Sequence, residues 1–338
     1  MDDLQLGSRN KRGDWAPTAA VALPGIWRFP LTGSAVLGWL RGYLVPWNLV
    51  FMLTTLVYWQ WLIPGTAEAS SLQPAWVARL LLANWLGLLL FYGGFELRLY
   101  VRRRQGAQFK YNGKFPADQH SDVFWFKRQN LDNFLRSFLV SIPIGTAIEA
   151  GLLWAFASGQ VPTLAWSQHP ATLLLWVALA PVLHELHFFC IHRAIHWGPL
   201  YRWVHAVHHN SINPTPWSSL SMHPVESAAY FGVALWTLAI PAHPFVAVWL
   251  FHLAAFGGIV GHIGFDRITA GHTAVATGSY PHYLHHKFFE VNYCDGGYLP
   301  LDHWLGGSWH DGSVAAAQRM QARFERKRAR VNAASESH

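Results

Sequence analysis

A chain of 338 residues with a net charge of +7 is long enough for one large domain or two ordinary ones. Hydrophobic residues make up 52% and charged residues only 13%, about half the share expected of a soluble domain. A nucleic-acid binder of this basicity would not carry several long apolar runs, so the basic balance points to a membrane surface with anionic lipid and excludes nucleic acid as the partner.

Residues 1–43 read as a basic lead-in on the cytoplasmic or interfacial side. Their start, MDDLQLGSRNKRGDW, has no apolar core of a cleavable signal. Residues 44–63 carry no charge and are long enough to span a bilayer. A second run covers 75–97, with Arg79 and Glu96 near its ends where they can snorkel. The segment to residue 133 is basic and closes a first pair of spans, 44–133. A third run covers about 134–157 and contains Glu149, which needs a partner in a helix bundle if the run truly spans. A fourth, about 171–191, leads straight into a dense set of histidines.

Two shorter apolar stretches, 228–240 and 245–263, are separated by Pro241 and Pro244 and read as a buried or re-entrant helical hairpin. Residues 311–338 form a basic tail. The loops at 64–74 and 158–170 contain no Lys or Arg, whereas 1–43, 98–133 and 319–330 are rich in both. By the positive-inside rule, four spans then leave both termini and every histidine box in the cytoplasm. The expected fold is an all-α integral membrane protein: about four transmembrane helices and a hairpin, capped by a cytoplasmic histidine-rich helical domain within 134–310.

Seventeen of the 20 histidines lie between His184 and His310, and none precedes His120. His192 and His196 stand at i and i+4. His205, His208 and His209 stand at i, i+3 and i+4, as do His282, His285 and His286. On a helix these spacings bring imidazoles to one face about a turn apart, which suits a shared metal. Eight unpaired buried imidazoles would be costly, and protonated ones would repel; a metal keeps them neutral and satisfied. Helical phase puts Glu185 on the face of His192 and His196, and puts His184 and His187 off it. His223 in HPVE and His262 in GHIGFD are additional ligand candidates. Glu185 and Asp266 are candidates to orient the ligands.

Ligand type alone does not choose the metal, since imidazole suits Zn, Cu, Fe and Ni. Eight to ten nitrogens are too many for one ion and about right for two. Such a site at a membrane surface fits redox activation of O2 against an apolar substrate better than hydrolysis, for which zinc more often takes three protein ligands and a water. A membrane metal transporter or metal-binding protein is the rival of another class; it would place its ligands near the bilayer midplane. There is no GxGxxG fingerprint, Walker A loop, CxxCH or GxSxG motif. Cys190 and Cys294 have no metal-type spacing and read as reduced and structural.

The run HRAIHWGPLYRWVHAVHHNSINPTPWSSLSMHPVE, with GSYPHYLHHKFFEVNYCDGG and LDHWLGGS further on, resembles the fatty acid hydroxylase/sterol desaturase superfamily over about 130–310. The NPTPW, MHP and LGGS pieces look most like its lathosterol oxidase branch. Cys190 and Cys294 depart from the aromatic and the glycine usual at those positions. The resemblance implies a membrane diiron oxygenase that desaturates or hydroxylates a lipid with O2 and electrons from an external donor, a cytochrome or ferredoxin with its reductase. It implies two iron ions, with zinc able to replace them in purified protein, and ligands at His192, His196, His205, His208, His209, His282, His285 and His286. A hydroxylase of fatty acyl or carotenoid chains is the alternative within the superfamily.

Overall fold

The computed structural model describes residues 2–294, 297–305 and 307–336. Asp295 and Gly296, in the motif after the third histidine box, lie outside the described residues, as does the side chain of Arg330 in the basic tail. Five helical segments are long and apolar enough to cross a membrane: Gly33–Trp61, Pro74–Val101, Gln129–Ala157, Pro170–Ile195 and Pro244–His262. The first comprises α1 (Gly33–Leu44) and α2 (Trp47–Trp61), with the chain extended at Val45 before Pro46, as a residue preceding proline favours. The second is α3 (Pro74–Glu96) and its π-helical continuation to Val101. The third joins α4 (Gln129–Arg136) to α5 (Ile142–Ala157), and the fourth is α6 (Pro170–Ile195). Proline opens α3 and α6, where its missing N–H costs nothing.

The hairpin differs from its expected form. Its rising arm is broken into α8 (Pro224–Phe231), a 3-10 turn over Gly232–Leu235 and a last turn at Trp236–Ala239. Its returning arm, α9 (Pro244–His262), is one unbroken helix of 19 residues. The tip between them reaches the loop after α5, where the Leu164 N–H donates to the Ala242 carbonyl at 3.0 Å. The hairpin therefore runs the full depth of the bundle. Its apolar run is explained by packing: α9 is hydrophobic on every side because 14 of its residues are buried among the other helices. By contrast, an 18-residue window of Gly33–Trp61 is only 6% buried, leaving most of its apolar surface facing outward.

Polar groups in the bundle are paired across helices. Asn84 of α3 donates to Glu149 of α5 at 2.8 Å and to Thr146 at 3.0 Å, which supplies the partner that Glu149 requires. Pro181 inside α6 cannot donate to the carbonyl of Val177, and the Trp249 indole of α9 takes that carbonyl at 3.2 Å.

The lead-in is an ordered element with strands that an all-α reading did not include. Strands β1 (Gly7–Arg9) and β2 (Trp15–Pro17) pair antiparallel and bury Trp15 against Phe109 and Tyr111. One large aromatic with a pocket to fill is enough to anchor the hairpin. A second small ribbon, β3 (Arg267–Ala270) with β4 (Thr273–Ala276), follows α9. The tail forms α11 (Val314–Glu336), whose Arg323 and Lys327 pair with Glu290 just beyond the third histidine box.

Candidate metal centre

Four elements meet at the end of the bundle where α6 and α9 finish. The C-terminal part of α6 carries His192, and His196 caps it. A π-helical turn, Tyr201–His205, runs into α7 (Ala206–His209), and α9 ends on His262. The short helix α10 (Tyr280–Phe288) carries the third box. Their imidazoles form two groups: His192, His196, His205, His209 and His285, and then His208, His262, His282 and His286. Eight of the nine are buried and His196 is partly so.

Each three-histidine box divides between the groups. On a helix, i and i+4 differ by about 40° whereas i+3 falls about 60° to the other side. His205 and His209 accordingly face the first group and His208 the second; His282 and His286 face the second and His285 the first. A box is thus a bridge between two centres, which the sequence reading treated as a single ligand face.

The ring nitrogens converge closely. In the first group, Nε2 of His196 lies 3.2 Å from that of His285, and His285 lies 3.1 Å from His209. In the second, His262 and His286 each approach His282 to 3.0 Å, and His208 lies 3.2 Å from His262. Neighbouring ligands on one ion with metal–nitrogen bonds of about 2.1 Å are about 3 Å apart, so these spacings fit a metal in each group.

Four of the outward nitrogens agree. Nδ1 of His192, His285 and His262 meets the carbonyls of Tyr293, Val291 and Gly258 at 2.9, 2.6 and 2.9 Å, and His205 Nδ1 meets Glu226 at 2.8 Å. An acceptor at Nδ1 fixes the proton there and leaves the Nε2 lone pair facing inward. Nε2 of His205 is buried with no protein hydrogen-bond partner, as a ligand atom would be. Burial, and then the neighbouring imidazoles, hold His205, His209, His285 and His286 well below the ordinary histidine range; burial alone takes His282 down to about 3. The rings are neutral and ready to ligate at neutral pH.

Of the ten histidines singled out in the sequence, the structure brings together nine. His223 stands apart: it caps α8, its Nδ1 accepting from the Val225 N–H at 3.2 Å. The two carboxylates are also engaged elsewhere. Glu185 accepts from the backbone amides of Tyr298 and Leu299, tying the loop after the third box to α6. Asp266 meets Tyr111 at 3.3 Å and Arg267 at 3.4 Å. The carboxylate that does touch a clustered imidazole, Glu226, was missed. Its signal was available, since only it and Asp266 are acidic between His209 and His282.

A cavity of about 710 Å³ opens from the clusters along the bundle. Histidines 192, 205, 208, 262 and 282 line its inner end; Phe51, Phe188 and Leu253 are on its walls; Trp39, Tyr43 and Arg28 of the N-terminal segment form its outer side. Glycines of two helices line it. Gly38 and Gly42 of α1 have no side-chain or backbone neighbour within 4 Å of where a Cβ would stand, while Gly257 and Gly258 lie on α9 opposite.

Five membrane-length helices and two buried histidine groups among the described residues fit a multi-pass membrane protein with a metal site. Residues 177–307 match the fatty acid hydroxylase family model. Similar proteins include Delta(7)-sterol 5(6)-desaturases of three fungi. That of Gibberella zeae is 32% identical over 35% of this chain and 38% of its own length. That of Aspergillus fumigatus is 26% identical over 68% and 67%. That of Saccharomyces cerevisiae is 33% identical over 36% and 32%. The chain thus spans well under half the length of two of these relatives. No solved structure matches it.

Proposed function

We propose that this protein is a membrane oxidoreductase that uses O2 and external electrons to desaturate or hydroxylate a lipid. The observation that carries the reading is the paired imidazole centre at the inner end of an apolar cavity, at the ends of helices long enough to cross a bilayer. The two groups would hold one iron each through His192, His196, His205, His209 and His285, and through His208, His262, His282 and His286. Iron in both would supply the oxygen-activating redox chemistry that an unactivated C–H bond requires. The chain's own residues do the rest. Glu226 and the three carbonyls orient imidazoles, the buried α9 and aromatic walls keep the inner end dry, and the cavity holds the lipid against the centre. The similarity to sterol desaturases favours a sterol-like or other isoprenoid lipid over a fatty acyl chain.

Charge distribution supports a cytoplasmic location for both termini and the histidine boxes. Without a nicotinamide, flavin or haem motif, the electrons come from a partner protein. The basic faces around Arg102–Arg104 and Arg326–Arg330 suit an acidic carrier, and suit cytoplasmic anchoring better. A transporter would place its imidazoles along a path through the membrane, whereas these gather at one end.

The test is metal content with O2 consumption against a lipid panel plus reductant. Expected are two irons per chain and lipid-dependent O2 use. His208→Ala and His285→Ala each remove a ligand from a different group, so each should lose about one metal of the two and nearly all turnover. Full metal content in either variant would refute the ligand assignment. Two tightly held zinc ions with no O2 use after iron reconstitution would sink the oxidoreductase.

A further inference from the structure

Outside the two imidazole groups, three buried side-chain atoms of cavity-lining residues have no hydrogen-bond partner among the described residues: Trp47 Nε1, His184 Nε2 and Glu226 Oε2. Most polar side chains facing the cavity are engaged: Asn48 donates to the Tyr298 hydroxyl at 2.8 Å, Glu185 takes two backbone amides, and Thr277 and Ser279 bond each other at 2.7 Å. Tyr230 donates to the Ala254 carbonyl at 2.9 Å. Two of the three stand out. Nε2 of His184 and Oε2 of Glu226 are both buried, both belong to residues lining the cavity, and neither has a hydrogen-bond partner among the described residues. A buried polar atom left bare is costly, so a pair in one cavity marks a place where a ligand group belongs.

Both are related to Tyr230. The His184 ring meets the Tyr230 ring edge-on with centroids 5.9 Å apart. Tyr230 stands four residues after Glu226 on α8, about one helical turn along the same face. His184 comes from α6, eight residues before His192, with Phe188 between them stacked on His192 at 4.6 Å.

We propose that His184 and Glu226 form a hydroxyl-recognition pair that selects a lipid bearing a hydroxyl group close to its reacting carbon. This rests on the lipid-oxidising reading above. A hydroxyl both donates and accepts, so one group satisfies an imidazole nitrogen and a carboxyl oxygen whichever of the two carries a proton. The other oxygen of Glu226 bonds His205, a member of the first imidazole group. A hydroxyl on Oε2 is therefore one side chain away from that group, and the carbon presented for reaction is near the hydroxyl-bearing carbon. A chain whose only polar group lies at its distant end does not meet this geometry. His184 is a specificity-determining residue and Glu226 serves both the lipid and the ligand ring.

The experiment is equilibrium binding without turnover, on purified full-length protein in nanodiscs under anaerobic conditions. The probes are two matched pairs: cholesterol with 5-cholestene, and hexadecanol with hexadecane. A site built around a hydroxyl rejects the analogue lacking it, so the hydroxyl-bearing member of one pair should bind at least about tenfold more tightly. His184→Phe should abolish that preference at unchanged metal content, and His184→Gln, which keeps a polar end, should retain part of it. Equal binding within both pairs by the wild-type protein overturns the proposal whether or not the variants fold. So does a preference that survives His184→Phe. Preference without O2 consumption would instead sink the oxidoreductase and leave the hydroxyl site standing.

Discussion

Glu226 shows how one side chain couples a candidate metal ligand to the scaffold. Its Oε1 fixes the His205 ring through Nδ1, and both groups are buried at the junction of α8 with the turn before α7. Removing such a partner typically lowers metal affinity about 10–100-fold, because the ring loses its preferred tautomer and orientation. Glu226→Ala should therefore weaken metal binding in the first group by that factor, and Glu226→Gln should recover part of it; titration of metal-free protein with Fe(II) measures both. Lys110 makes a different residue-scale case. It is fully buried and donates to the carbonyls of Asn112 and Lys114 at 2.8 and 3.0 Å and to the Asn213 side chain at 3.1 Å. Burial nonetheless pulls its pKa down to about 7, against an unfolded value near 10.4. Between those values the unfolded chain binds the extra proton, so Lys110's contribution favours the folded state at high pH and is lost as pH falls toward 7. Thermal unfolding of the wild type should rise more steeply between pH 7 and 9.5 than that of Lys110→Met; parallel profiles would show that Lys110 stays charged when folded.

At the scale of the element, glycines of α1 and α9 serve opposite purposes. A Cβ on Gly258 would stand 2.5 Å from the Ser219 hydroxyl and 2.9 Å from that of Tyr230, so α9 can pack there only as glycine. A Cβ on Gly42 meets nothing within 4 Å and points to the cavity side of α1. Gly258→Leu should destabilise by about 1–3 kcal/mol or more through overpacking. Gly42→Phe should leave thermal stability nearly unchanged while filling the cavity and cutting lipid turnover at least about tenfold. Similar stability losses in the two variants would mean that α1 packs more tightly than its open face implies. These roles were not legible in the sequence, because glycine in an apolar run reads the same whether it admits a neighbour or a ligand. The helix-spaced imidazole boxes were legible, since 3.6-residue periodicity acts locally. Their division into two groups was not, because it depends on where four elements converge. The buried hairpin was legible from the prolines and the length of 228–240, but the breaking of that arm into three short pieces was not, because it depends on the helices packed around it.

For the whole molecule, the paired imidazole groups would act as a cross-link as well as a site once they hold metal. Their imidazoles would tie the end of α6, the turn and helix after it, the end of α9 and α10, joining residues from 192 to 286. Elsewhere the bundle is held by apolar packing around α9 and by interhelical pairs such as Asn84 with Glu149, none of which involves a clustered imidazole. The histidine domain rests on less. Outside the clusters, α7 is only four residues long and α10 nine, too short to persist without tertiary support. A ligand bound only by the folded state stabilises it by about 2.7 kcal/mol at 100 times its dissociation constant, and metal binding is then part of the folding free energy. Removing metal should thus act unevenly. Protein stripped with a chelator should keep the hydrogen-exchange protection of α3, α5 and the first half of α9, while amides of 201–209 and 280–288 exchange at least about tenfold faster, and Fe(II) should restore them. Uniform loss of protection along the chain would show that the bundle depends on the centre. Unchanged protection at 201–209 and 280–288 would show that the imidazole groups are held in register by packing alone.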